Sequence, residues 1–288
     1  MSVSQSPMAS TVANTIASRY ERDRFVFPYA VTSAAEAGAI RAALEAGEAQ
    51  LADRPDDLAI LHSYPDRVLP SFDTLICHPL LLDAASQILG SDLMVWSAGL
   101  CIKEANTSNY VTWHQDSTYW GLDDVQKVTT WVALSPSTVA SGCMRFVAGS
   151  QSKRLVKHVD SFAADNLLSR GQEIAIEVDE ANAVDVVLQA GEASLHHGHL
   201  FHASGPNSTA QRCIGAAIRY ITPSMKQQSG DRSLVAHVSG QDRYGHFTVA
   251  ASPIGKLFEA DFARCREDVR VKRRVLYEGA PEDAGQRY

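Results

Sequence analysis

The chain has 288 residues, 45% hydrophobic and 20% charged, with a net charge of −7. That composition is globular and ample for a buried core, and the negative balance argues against a general affinity for phosphate backbones or anionic lipid. Five cysteines, at 77, 101, 143, 213 and 265, form no close pair, which argues against a disulfide framework or a cysteine-based zinc site and fits a reducing, cytoplasmic setting.

Residues 1–20 read as a loose tail, Ser-rich at its start and without the basic start and apolar core of a signal peptide. No apolar run approaches the roughly 18 residues of a membrane span. Phe25-Val26-Phe27-Pro28 is a short strand signal, and Ser33-Ala34-Ala35-Glu36 is a capping box opening a helix to about Ala49. His62, Tyr64, Asp66 and Arg67 form a polar stretch that reads either as a surface loop or as pocket groups. Pro79 to Leu89 is a second helix, with proline in its first turn and Gly90 past its end.

From Leu93 the pattern changes to short strands: Leu93 to Lys103, Tyr110 to Trp113, Lys127 to Ser135, Cys143 to Ala148, Glu173 to Glu177, Ala183 to Leu188, Ala193 to His197 and Arg212 to Thr222. Turn residues such as Ser141-Gly142, Gly149-Ser150 and Gly205-Pro206-Asn207 separate them, a spacing that favours a sandwich or barrel. Pro253 to Glu278 reads as a charged helix, whose basic cluster Arg270 to Arg274 is a solvated face, and the last ten residues read as frayed. No linker divides the chain, so one domain over 1–288 is expected, with its barrel core at about 93–222 and a C-terminal helical extension at about 253–278.

The chemistry concentrates in Trp113-His114-Gln115-Asp116 and a distant histidine cluster. Two imidazoles and one carboxylate hold Fe(II) on one face and leave the opposite positions open. His114 and Asp116 are two apart, so on extended backbone both leave the same face. His196, His197, His199 and His202 compete for the third ligand position. Thr129 and Trp131 share a strand face. Arg212 and Arg219 have opposite parity, so on a regular strand they face away from each other.

Taken in order, these segments resemble the phytanoyl-CoA dioxygenase family of Fe(II)/2-oxoglutarate oxygenases. Trp113 to Trp120 is similar to that family's iron-binding segment. Ser141 to Ser150 resembles its Gly-to-Pro-Gly-Ser segment, with Ala148 where the family usually has proline, and His202-Ala203-Ser204-Gly205-Pro206-Asn207 through Arg212, with Arg219-Tyr220, resembles its closing motif. The similarity runs from about Phe25 to Thr222. It implies a mainly β fold, a double-stranded β-helix (a jelly-roll, cupin-like barrel) flanked by N-terminal and C-terminal helices. It implies His114, Asp116 and His202 as metal ligands and the catalytic centre, and Arg212 with the Ser204 hydroxyl as the clamp for the far carboxylate of 2-oxoglutarate. Lys103, Thr129 and Trp131 are further candidates for the cosubstrate pocket, and Tyr119, Trp120 and His62 for the substrate side.

The expected cofactors are Fe(II), 2-oxoglutarate as cosubstrate, and O2, and the expected partner is a small-molecule substrate, with neither nucleic acid nor membrane. The Asp116 carboxylate occupies the position that halogenating relatives leave to a small residue, so hydroxylation is favoured over halogenation. A cupin-like metalloenzyme without 2-oxoglutarate would have no use for Arg212, and a non-catalytic barrel would be expected to have lost a ligand. The composition around the iron segment points to a small polar metabolite and not a long acyl chain.

Overall fold

The computed structural model describes residues 15–123 and 126–277, with the side chain of Tyr119 outside the description. The elements run α1 (Ile16–Asp23), β1 (Phe25–Ala30), α2 (Ala34–Gln50), α3 (Pro55–Ser63), α4 (Pro65–Val68), α5 (Pro70–Ile76) and α6 (Pro79–Leu89), then β2 (Leu93–Lys103), β3 (Val111–His114), β4 (Lys127–Ala133) and β5 (Met144–Val147). They continue with β6 (His158–Asp160), β7 (Gln172–Ile174), β8 (Ala183–Asp185), β9 (Glu192–His197), β10 (Phe201–Ser204), β11 (Cys213–Ile221), β12 (Leu234–Ser239), β13 (Thr248–Val249) and α7 (Glu259–Leu276).

The barrel is built from a seven-stranded sheet in the order β1-β9-β4-β11-β2-β12-β13 facing a four-stranded sheet in the order β3-β10-β5-β8, with β6-β7 as a separate hairpin. Between the named strands, every pairing but β12-β13 is antiparallel. This is the jelly-roll, cupin-like architecture that the strand spacing and the family resemblance imply.

The large sheet is covered on both faces, and its interior strand β4 is buried at every residue. One face packs under the N-terminal helices: Val128 and Val132 of β4 and Ile214, Ala216, Ile218 and Tyr220 of β11 join Leu44, Leu61, Phe72 and Leu81 in one cluster. The other face, carrying Thr129 and Trp131 of β4 and Cys213, Ala217 and Arg219 of β11, lines the barrel interior. Period-two alternation thus divides β11 into an even helix-facing row and an odd cavity-facing row.

Several expectations are corrected. Residues 16–20 are not loose tail but the start of α1, capped by the Thr15 hydroxyl accepting from Ser18 N at 3.2 Å. Residues 1–14 and 278–288 lie outside the described residues. The polar stretch 62–67 is not a surface loop: Tyr64, between α3 and α4, and Asp66 and Arg67 of α4 are buried, and Tyr64 donates to Asp268 of α7 at 2.9 Å. The charged helix is confined to Glu259–Leu276, and Lys272 in its basic cluster is buried and ion-paired to Asp268 at 2.8 Å. Strands β6, β10, β12 and β13 were not legible as strands, and β10 is the one that carries His202. The capping box at Ser33 and the helix Pro79–Leu89 stand as read.

Gly215 sits on the cavity row directly against Trp131, so an added Cβ would fall within the indole. Gly215→Ala should therefore destabilise the fold by about 1–3 kcal/mol through overpacking. Gly38, exposed in α2 with nothing within 4 Å of an added Cβ, should be neutral or gain up to about 1 kcal/mol as alanine. Urea unfolding of the two variants beside the parent chain measures both.

Candidate metal centre

His114 closes β3 and His202 lies opposite it on β10, their Cα atoms paired across the ladder and their rings 4.0 Å apart. Gln115 continues in extended conformation, φ −122° and ψ 129°, so Asp116 emerges on the side of His114 before the chain tightens into a 3-10 turn, Asp116–Tyr119. The result is one group of donor atoms, from His114, Asp116 and His202, all within 4.8 Å of one another and all buried.

Each imidazole is held in the same way. His114 Nδ1 lies 2.9 Å from the Thr112 carbonyl, and His202 Nδ1 lies 2.9 Å from the Leu200 carbonyl. A carbonyl only accepts, so each Nδ1 carries the hydrogen and each Nε2 presents its lone pair inward. Burial pushes the His114 imidazolium below its ordinary range, and burial with the neighbouring His114 pushes His202 well below it, so both are neutral ligands. Burial opposes ionisation of Asp116, but His196, His202 and Arg219 outweigh it and hold the carboxyl well below the usual range.

The two Nε2 atoms stand 3.9 Å and 3.8 Å from Asp116 Oδ1, too far for hydrogen bonds. The three groups converge on a common point without satisfying one another, the arrangement a divalent ion completes. Asp116 Oδ2 is turned away and accepts from Thr129 Oγ1 at 2.8 Å, which fixes the carboxylate orientation. Thr129, expected as a cosubstrate wall, therefore also positions a ligand.

Two further residues shape the centre: Gln115, given no role of its own from sequence, and His196, read there only as a competitor for the third ligand position. Gln115 is buried, and its side-chain amide donates to the His199 carbonyl at 2.8 Å and accepts from Val156 N at 2.9 Å, tying two loops to the iron segment. His196 is buried with neither ring nitrogen hydrogen-bonded, its Nε2 3.5 Å from Asp116 Oδ2 and its ring 4.8 Å from that of His202. Its position on β9, paired with Thr129, brings it there; the only sequence signal was strand parity. His197 points the other way, its ring 5.1 Å from that of His199.

The triad opens into a cavity of about 460 Å³ whose walls include Lys103, Thr129, Trp131, Ser204, Trp120 and Arg219. Lys103 reaches in from the end of β2 and donates to Ser204 Oγ at 2.7 Å, to the Gly142 carbonyl at 2.9 Å and to the Gly205 carbonyl. It has no carboxylate partner among the described residues, and burial pulls its amine down to about 8.

Arg212 is the main correction. It lies outside the cavity, bonded through its guanidinium to Glu48 at 2.9 Å and 3.0 Å and to Glu104 at 3.0 Å. The cause is parity: Cys213, not Arg212, begins the inward row of β11, and Arg219 shares that row. His62 borders the cavity, but its Nε2 is committed to Glu48 at 2.8 Å, so it is not free for a substrate. Trp120 lines the cavity as expected, and the Tyr119 side chain lies outside the described residues.

His114→Ala and His202→Ala should each abolish stoichiometric Fe(II) binding while leaving the unfolding midpoint within about 1 kcal/mol of the parent in the metal-free state. Metal analysis after anaerobic loading measures this. Full retention of iron by His202→Ala with loss in His196→Ala would move the third ligand to His196.

The sequence model of a family described as Phytanoyl-CoA dioxygenase (PhyH) matches residues 20–214. Among solved structures, the non-heme monooxygenase ThoJ in its apo form aligns with a TM-score of 0.82 and 34% identity, covering 92% of this chain and 98% of that one. A phytanoyl-CoA dioxygenase of Arabidopsis thaliana is 27% identical over 109 residues, 38% of each chain. An L-proline trans-4-hydroxylase of Streptomyces griseoviridis is 22% identical over 163 residues, 51% of this chain and 61% of that one. The match spans less than two thirds of the length of these curated relatives. No described helix is long and apolar enough to cross a membrane. A neutral-imidazole triad inside a jelly roll, at the positions where the family match runs, leads to one conclusion: the chain belongs to the phytanoyl-CoA dioxygenase family of non-heme iron, 2-oxoglutarate-dependent oxygenases.

Proposed function

We propose that this protein hydroxylates an unactivated C–H bond of a small polar metabolite in the cytoplasm, with 2-oxoglutarate decarboxylated to succinate and CO2. The observation that carries the reading is the single cavity joining the His114, Asp116 and His202 donors to the buried Lys103 amine. Iron bound at the triad supplies the oxidising power with O2 and 2-oxoglutarate. The chain supplies ligand geometry, cosubstrate anchoring and a shielded pocket.

Lys103 and Ser204 take the anchoring role expected of Arg212 and Ser204. Ser204 lies two residues beyond His202 on β10, about 6–7 Å along the strand and on the same face. Ser204 and Lys103, which line the cavity with the triad, would hold the far carboxylate of a keto acid bound there. A buried amine hydrogen-bonded only to neutral dipoles is costly unless an anion joins it. A metalloenzyme without 2-oxoglutarate, or a non-catalytic barrel, would have no need of it.

The substrate side of the cavity alternates aromatic with polar groups: Trp96, Trp120, Arg219, Gln227 and Lys272. A volume of about 460 Å³ shared with the cosubstrate suits a small molecule with a few placed polar contacts better than a long hydrocarbon chain. The curated relative named for proline hydroxylation is consistent with such a substrate. Asp116 fills the ligand position that a halide would need, which favours hydroxylation.

Lys103→Met should raise the 2-oxoglutarate requirement by a factor corresponding to a loss on the order of 2–5 kcal/mol, with iron content unchanged, whereas Arg212→Ala should leave that requirement unaltered. Because burial lowers the amine to about 8, it is charged below that pH and loses charge above it. The KM for 2-oxoglutarate should therefore rise as pH passes about 8 in the parent chain and stay flat in Lys103→Met. Succinate release across amino acids, phosphonates and fatty-acyl thioesters tests the substrate class. Coupled turnover with the thioesters alone, or a chlorinated product in chloride buffer, would defeat the reading.

A further inference from the structure

A second cation, Arg219, faces the cavity, six residues along β11 from the position that pairs with Lys103. Arg219 is paired across β11 with Thr129 on one side and Ser97 on the other, and Thr129 is the residue that holds Asp116. The guanidinium lies 5.2 Å from the Trp120 ring centroid, and Trp120 stacks on Trp96 at 5.1 Å. Its Nη1 makes only long bonds, 3.3 Å to Ser97 Oγ and 3.2 Å to the Ala217 carbonyl. Its Nε is buried without a partner, and no carboxylate lies within ion-pair distance among the described residues. The other polar groups on this wall are already engaged: Lys272 is paired to Asp268 at 2.8 Å and donates to the Trp96 carbonyl at 3.0 Å.

The wall is also distinctive in origin. Lys272, Val275 and Leu276 of α7 all fall after Thr222, beyond both the segment that the family model matches and the motif resemblance. The end of α7 is fastened to the loop before β7, with Arg170 donating to the Leu276 carbonyl at 3.0 Å and Tyr277 to the Ser169 carbonyl at 3.2 Å. Leu167, Leu168 and Leu276 thereby face the same cavity and give its outer part an apolar lining.

We propose that Arg219 binds a carboxylate of the substrate, whose apolar body packs on the Trp96–Trp120 wall. The inference rests on the assignment of 2-oxoglutarate to Lys103. A planar guanidinium with unpartnered donors matches a carboxylate in a bidentate way, and the aromatic wall beside it excludes water from the pair. Arg219 shares a level with the metal ligands through Thr129, so a molecule held there presents neighbouring carbons to the iron side.

The test is tryptophan fluorescence of the whole chain, loaded anaerobically with Fe(II) and 2-oxoglutarate. The probes are small aliphatic and aromatic carboxylic acids and free amino acids, each beside its carboxamide, titrated to millimolar concentration. The expected result is acids that bind at least about tenfold more tightly than their amides, a difference of about 1.4 kcal/mol. Arg219→Gln should erase that preference, Arg219→Lys should keep part of it, and 2-oxoglutarate binding should change in neither. Equal binding of acid and amide, no binding by any acid, or a preference that survives Arg219→Gln would overturn the inference. If Arg219→Gln loses 2-oxoglutarate while Lys103→Met retains it, the cosubstrate assignment fails along with it. If Lys103→Met loses 2-oxoglutarate and Arg219→Gln leaves the acid preference intact, only the Arg219 inference falls.

Discussion

The pairing of His202 with His114 across β10 and β3 is the constraint on which the site depends. A slip of one residue would turn His202 to the other face and leave the triad without its third donor. The register is held from both sides, because β10 also pairs with β5, where Phe146 lies opposite His202. The Phe146 ring is fully buried and packs against both His196 and His202, so displacing β10 would cost core packing as well as ladder bonds. Carbonyls two residues upstream then set the tautomer of each imidazole. Backbone geometry thus fixes both the position and the protonation of the ligands.

The same rigidity has a cost. Three donor groups point at one another from buried positions without hydrogen bonds between them, and two cations face the cavity without carboxylate partners among the described residues. Groups of this kind weaken a fold unless something binds them. Iron would answer the first set, and the anionic cosubstrate and substrate proposed above would answer the second. The chain carries a net charge of −7, so this cationic cavity is a local departure from the whole and not a reflection of it.

The sequence was legible where local chemistry decides structure. His114 and Asp116 could be paired because an extended residue between them leaves no other arrangement. The capping box at Ser33 and the proline-started helix at Pro79 follow from their own residues. Helices α3, α4 and α5 also begin at prolines, Pro55, Pro65 and Pro70, but they are too short for apolar periodicity to show. β10 was hidden because its four residues sit in a turn-rich stretch and owe their strand character to β3 and β5. The arginines of β11 show the limit most clearly. Parity placed Arg212 and Arg219 on opposite faces, but it did not say which face looks inward. The bulky row Ile214, Ile218 and Tyr220 needs the helices, while the small row Cys213, Gly215 and Ala217 leaves room for a cavity. Residue volume, read along with parity, is the signal that would have placed Arg219 inward; the structure made the correction.

The central claim is that one buried triad and one cavity hold iron and 2-oxoglutarate together. The most direct measurement is the visible absorption of the whole chain under anaerobic conditions as Fe(II) and 2-oxoglutarate are added separately and then together. Chelation of the keto acid to iron at the triad predicts a weak charge-transfer band that requires both components and saturates at one equivalent of iron per chain. No band with both present, or the same band with iron alone, would contradict the account.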